Sequence, residues 1–187
     1  MRCRPALVLV ERNHILLMKY QYGTEFVYNL PGGNPDPGET FPETIIRECQ
    51  EELAIEVEVG NILMVGEILA SDKRDASVHL LFEGKIIAGI PILQADQTSA
   101  IELVWVSISE ITKLNMYPNV SLELQDMLFL QKPGKYIQIR AASFGWCGFG
   151  CNRAAGSHSV SIHTECGYFR NRCCGILSSI LDSLQFY

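Results

Sequence analysis

Two apolar runs open the chain. Ala6–Val10 and Ile15–Tyr20 flank Glu11-Arg12-Asn13-His14, a spacing that predicts a β-hairpin. Phe26–Leu30 reads as a short third strand, and the Gly/Pro-rich stretch from Pro31 to Glu39 cannot continue it. Extended segments follow at Glu56–Leu69, Val78–Ile87 and Leu103–Val106. Ser109–Lys113 reads as a short helical turn. Val120–Leu130 has helical spacing in Leu124 and Leu128, with Met127 beside them. Strands that mix hairpins with two helical segments predict an α/β fold, a mixed sheet covered by helices.

Between the third and fourth strands lies the best-marked helix. Thr40 and Glu43 stand at capping-box spacing, and Pro42 falls in the first turn, where a missing N–H costs little. At about 100° per residue, Pro42, Ile45, Ile46, Cys49 and Leu53 share one arc and are expected to pack on the sheet. Glu48, Glu51 and Glu52 crowd a neighbouring arc. Like charges at these spacings cost a few tenths of a kcal/mol per pair, which a divalent cation would offset with oxygen ligands of the kind Mg²⁺ takes. A plain solvated face is the competing reading of such a cluster. Against it stand the glycine loop, the capped start and Arg47 directly before Glu48. Arg47 can pair with Glu51 at i,i+4 or reach back toward Glu39.

Composition divides the chain. The net charge of −6 over 187 residues argues against a nucleic-acid-coating surface. Residues 1–140 hold 12 basic against 19 acidic side chains; residues 141–187 hold three against two, contain no Lys, and are rich in Gly, Ser and Cys. A boundary near Arg140 follows, separating a main domain, 1–140, from a tail, 141–187, that is expected to be weakly ordered. No apolar run reaches the roughly 18 residues of a membrane span. Pro5–Val10 reads as a strand rather than a leader, so the expected location is the cytoplasm. Seven cysteines, five of them in the tail, are poor evidence for a disulfide framework. Cys147, Cys151, His158, His163, Cys166, Cys173 and Cys174 invite a zinc reading, but the second pair is adjacent rather than spaced. Loose packing through Ile176–Leu184 competes with it, as does a frame change near Arg140.

The stretch from Gly33 to Ile55 resembles the signature of the Nudix hydrolases, G-x5-E-x7-R-E-U-x-E-E-x-G-U, where U is bulky and apolar. Gly33, Glu39, Arg47, Glu48, Glu51 and Glu52 fall at its fixed positions. Cys49 is small for its U position, and Ala54 stands where the family has Gly. The resemblance implies an α/β/α sandwich with a mixed β-sheet and hydrolysis of a diphosphate linkage in a nucleoside diphosphate joined to another group. It also implies Mg²⁺ or Mn²⁺ held by Glu48, Glu51 and Glu52, with help from the Gly32 carbonyl. Glu39 and Arg47 would orient those ligands, and Gly33 and Gly38 would shape the loop. The metal would neutralise phosphate charge and acidify the attacking water. The expected partner is a nucleotide-like small molecule, with no nucleic-acid polymer and no membrane; a homodimer is left open.

Catalytic roles are less sharply marked. Glu51 and Glu52 are the catalytic candidates on the helix, with Glu52 the first choice of base. Glu102, three residues before Trp105, is an alternative and Glu83 a weaker one; each competes with an exposed strand-end carboxylate. His79, in an apolar strand, is either a packed histidine or a catalytic one. Tyr20, Tyr22 and Phe26 serve either the core or base stacking, and Trp105 reads as core. Two other functions compete: a regulatory ligand-binding module on the same fold, which intact carboxylates argue against, and a diphosphate isomerase, for which no acid–base pair is evident.

Overall fold

The computed structural model describes residues 1–72, 75–130 and 134–139. The expected boundary near Arg140 and every reading of the tail lie outside these residues.

Strands β1 (Arg2–Glu11) and β2 (His14–Tyr22) form the expected hairpin, closed where Glu11 faces His14. Arg12 and Asn13 both take positive φ, 48° and 64°, as a tight two-residue turn between right-twisted strands requires. The pair then splays. β2 continues between β3 (Glu25–Asn29) and β6 (Glu102–Ser107), antiparallel to both. β1 runs parallel to β5 (Ser77–Ala88), which pairs antiparallel with β4 (Glu56–Ile68). The mixed sheet and its two α-helices make this an α/β fold, as expected.

Helix α1 (Phe41–Leu53) packs on β1 and β4. On β1, Ala6 and Val8 join a core with Leu124 and Met127 of helix α2 (Ser121–Leu130). Leu7 and Leu9, also buried, point by strand alternation to the other face. The two helices therefore cover opposite faces of one sheet. A six-residue 3-10 turn, Ile108–Lys113, stands where a helical turn is predicted and packs on α2.

Three expectations fail locally. The first concerns the width of the α1 contact: Thr44, Ile45, Cys49 and Leu53 are buried, while Pro42 and Ile46 are exposed. Thr44 takes an inward position without an unsatisfied hydroxyl, because its one O–H is shared between the Thr40 carbonyl and Glu39, each at 3.0 Å. Trp105, read as core, is 38% exposed. It lies on β6, which pairs only with β2 among the described strands, where it stands opposite buried Leu16 and stays partly open to solvent. A seventh strand, β7 (Lys135–Gln138), was absent from the predicted set; it adds parallel to β4 beside Gly66, where the missing side chain makes room for Ile139.

Candidate active site

The loop before α1 is laid along β1. Leu7 N–H donates to the Pro31 carbonyl at 2.8 Å, and Gly32 bridges to Ala6. Gly32 takes φ +142°, and a Cβ there would sit 2.3 Å from the Pro5 carbonyl oxygen. A Cβ on Gly33 would sit 1.9 Å from Glu48 Oε1. Only glycine leaves room for both contacts. Gly38, at φ +94°, turns the chain back toward the helix. Gly33→Ala is expected to displace the Glu48 carboxylate and to destabilise the protein by about 1–3 kcal/mol. A thermal melt checks this, and an unchanged melt would show that the carboxylate moves aside freely.

The capping box forms as the sequence predicts. Glu43 N–H donates to Thr40 Oγ1 at 3.4 Å, and Thr40 N–H donates to Glu43 at 2.8 Å. At the other end Ala54 adopts the left-handed conformation, φ 54° and ψ 37°. Alanine there carries a Cβ penalty that glycine would not, yet the helix still ends at this residue, with Ala54 N–H donating to the Gln50 carbonyl at 3.1 Å.

Arg47 gathers the acidic side chains. Its Nε and Nη2 reach the two oxygens of Glu39 at 2.7 and 3.1 Å, a bidentate fork. Nη1 spans Glu48 Oε1 at 3.0 Å and Glu51 Oε2 at 3.1 Å, and Nη2 also meets the Asn34 carbonyl at 3.2 Å. Both pairings open to Arg47 are thus made at once. The Arg47 guanidinium, with a backbone N–H from Asp36, holds the Glu39 carboxyl down to about 2. Glu39 accordingly ties loop to helix rather than facing the cleft.

The second oxygens of Glu48 and Glu51 accept no hydrogen bond among the described residues. These hard oxygen donors suit Mg²⁺ or Mn²⁺. No three His, Cys, Asp or Glu side chains among the described residues form a ready cage for an ion. Arg47 provides the neutralising charge between Glu48 and Glu51 instead.

Glu52 takes a different setting, lining a polar cleft of about 460 Å³ with Arg4, Tyr20, Asn34, His79 and Thr98. Burial raises its carboxyl above the ordinary range and Glu48 adds repulsion, while a hydrogen bond with Thr98 opposes both. The segment from Gln94 to Ser99 closes over the helix end, with Gln94 N–H donating to the Glu52 carbonyl at 2.8 Å. Sequence reading passed over this segment and over Arg4, since neither carries a local motif.

Tyr20 is buried and Tyr22 is half exposed; their rings stack at 6.4 Å, and both line the cleft. Glu102 lies elsewhere. It is the cross-strand partner of Lys19, whose Nζ donates to it at 2.8 Å. Alternation along β2 puts Lys19 on the face opposite Tyr20 and Tyr22, so Glu102 points away from the cleft. Lys19 also lies 4.4 Å from the centre of the Phe26 ring, which draws Phe26 to that same pair. Glu83 is the register partner of Val8 on the parallel β1–β5 pair, well along β5 from His79, and does not line the cleft.

His79 is 2% exposed and edge-on to Tyr117 at 5.5 Å. Its Nε2 meets Ser77 Oγ at 3.2 Å, and its buried Nδ1 has no partner among the described residues. Burial, and then the charge of Arg4, depress its pKa to about 4. Above its unfolded value of about 6.5 the ring is neutral in both states and costs nothing. As pH falls from 6.5 toward 4, only the unfolded chain gains the proton, so stability is lost, by at most about 3 kcal/mol. His79→Leu is expected to flatten this limb in urea melts taken between pH 7 and 4. An identical limb in the variant would assign it to other groups.

Comparison with known proteins agrees with this architecture. The NUDIX domain model matches residues 1–125. A Bacillus subtilis (strain 168) protein named "Putative 8-oxo-dGTP diphosphatase" is 33% identical over 124 residues, which is 64% of this chain and 74% of that protein. A Mycobacterium tuberculosis (strain H37Rv) relative of similar name, numbered 3, is 27% identical over 161 residues, 76% of this chain and 69% of the relative. The crystal structure of a NUDIX hydrolase from Nitrosomonas europaea superposes with a TM-score of 0.61 at 18% identity, covering 74% of this chain and 78% of that one, and so shares the fold. With the family model spanning the loop, α1 and the cleft-closing segment, the chain belongs to the NUDIX domain family and is a hydrolase of the Nudix pyrophosphohydrolase class.

Proposed function

We propose that this chain hydrolyses a diphosphate linkage in a nucleoside diphosphate joined to another group, with Mg²⁺ or Mn²⁺ as cofactor. One observation carries the reading. Consecutive turns of α1 place Glu48 and Glu51 around Arg47 and turn Glu52 into the polar cleft. Glu48, Glu51 and Glu52, with the Gly32 carbonyl, would hold the cation, which supplies charge neutralisation for the phosphates and a more acidic water. Glu39 fixes Arg47, and Arg47 fixes the angle between Glu48 and Glu51. Glu52, whose burial favours the protonated form, takes the proton from the attacking water. The water oxygen bonds to phosphorus as the bond to the bridging oxygen breaks, and the released phosphate leaves with the second group.

The names of two relatives place 8-oxo-dGTP first in a substrate panel, followed by nucleotide sugars, ADP-ribose and dinucleoside polyphosphates. With Mg²⁺ one class is expected to release nucleoside monophosphate or phosphate, and EDTA is expected to lower that rate at least about 100-fold. Turnover that survives EDTA would overturn the metal requirement. A silent panel accompanied by tight binding would favour a regulatory binding module.

A further inference from the structure

The polar cleft contains a cation that makes no close ion pair. Arg4 is partly buried, and its Nη2 donates to the Gly32 carbonyl at 2.9 Å. No carboxylate among the described residues lies within ion-pair distance of it, although its charge acts on the Glu52 carboxyl through space. Arg47, by contrast, has four. A guanidinium carries five N–H donors in a rigid fork, and one carbonyl leaves most of them unmatched. Withdrawing an unpaired charge from water is costly, so a partner from outside the chain is the natural complement.

The surroundings say what kind. Arg4 is the register partner of His79, so the two share the cleft face of the β1–β5 pair. The unsatisfied Nδ1 of His79 marks the same face as one whose polar groups are not matched internally. Beside them the lining carries tyrosine, asparagine, threonine and serine side chains, and Glu52 is its one acidic residue. Glu52 faces the cleft from α1; Arg4 faces it from β1. A ligand lying between them would meet acidic groups at one end and a forked cation at the other.

We propose that Arg4 binds a phosphate oxygen of the substrate's diphosphate directly, beside the Gly32 carbonyl, while its Nη2 keeps that carbonyl aimed at the same space. The inference rests on the reading of this cleft as a diphosphate site. Planar bidentate contact is the arginine property it needs, and lysine supplies only a point charge.

Methylenediphosphonate, which carries the diphosphate geometry without a cleavable bridge, isolates this contact. Calorimetric titration of the full chain in EDTA is expected to show binding that Arg4→Gln weakens at least about tenfold, with Arg4→Lys in between. The same loss is expected in Mg²⁺, whereas Glu51→Gln weakens binding only when Mg²⁺ is present. On the wild-type chain, the Arg4 side-chain N–H signal is expected to shift during the titration, a readout that stands even if a variant fails to fold. No wild-type binding in EDTA, an unmoved Arg4 signal, or wild-type affinity in folded Arg4→Gln would each overturn the proposal. Hydrolysis of the panel at wild-type kcat/KM by Arg4→Gln would sink it while leaving the hydrolase reading intact. Binding through Arg4 with a silent panel would do the reverse.

Discussion

Glu52→Gln is expected to lower kcat by about 10³-fold while leaving the fold intact. The magnitude follows from two losses at one position: a general base contributes about 10²–10⁴-fold, and in the proposed site the same carboxylate would be a cation ligand. Glutamine keeps shape and volume, so packing is not the cause. A stability readout separates this from simple damage. Burial and the neighbouring Glu48 raise the Glu52 carboxyl, so its charged form is disfavoured in the folded protein. The sign is fixed by linkage: below the unfolded carboxylate value both states are protonated and Glu52 contributes nothing. As pH rises above that value the unfolded chain ionises first, and the folded state loses stability. Glu52→Gln removes that penalty. The metal-free variant is therefore expected to melt above wild type at pH 7.5 and level with it at pH 4.5, with Mg²⁺ raising the wild type more than the variant. Retention of a tenth of wild-type kcat would remove Glu52 from the chemistry.

The local grammar of this site was legible because its causes are local. Capping needs Thr40 and Glu43 three apart, a close approach needs Gly33, and helical phase alone gathers Glu48, Glu51 and Glu52. Each is a short-range constraint that leaves a mark in consecutive residues. The rest is set by partners far along the chain. Arg4 reaches Gly32 across 28 residues, and the Gln94–Ser99 segment reaches Glu52 across more than 40. Neither bears a pattern of its own. Glu102 shows the converse: proximity to a tryptophan in sequence suggested a role, and strand alternation, which depends on pairing with Lys19, turned it to the other face. Strand β7 was invisible for a related reason, because four residues at a parallel sheet edge carry too little periodicity to register.

Arg47→Ala is expected to lower both activity and stability, and the pair of effects tests whether one guanidinium organises the site. Arg47 is 25% exposed and contacts Glu39, Glu48 and Glu51 at 2.7–3.1 Å. Removing it leaves three carboxylates facing one another without a cation. Partial exposure places the cost between that of a surface pair and that of a buried one, about 2 kcal/mol, or a fall in Tm of about 4–8 °C. In the proposed site Arg47 would orient the metal ligands, and loss of such a group is expected to reduce kcat/KM by about 10–100-fold. Arg47→Lys keeps the charge but cannot form the fork on Glu39, so it should recover more stability than activity. Added Mg²⁺ should return part of the lost Tm in the alanine variant, because an ion replaces the missing positive charge. The acid limb gives an independent check. Arg47 lowers the Glu39 pKa to about 2, so Glu39 contributes stability above its unfolded value and that contribution disappears as pH falls from about 4.5 toward 2. In Arg47→Ala that limb should flatten. A variant that melts with wild type at both pH extremes would mean the carboxylates are held by the helix alone, and the network centred on Arg47 would have no energetic role.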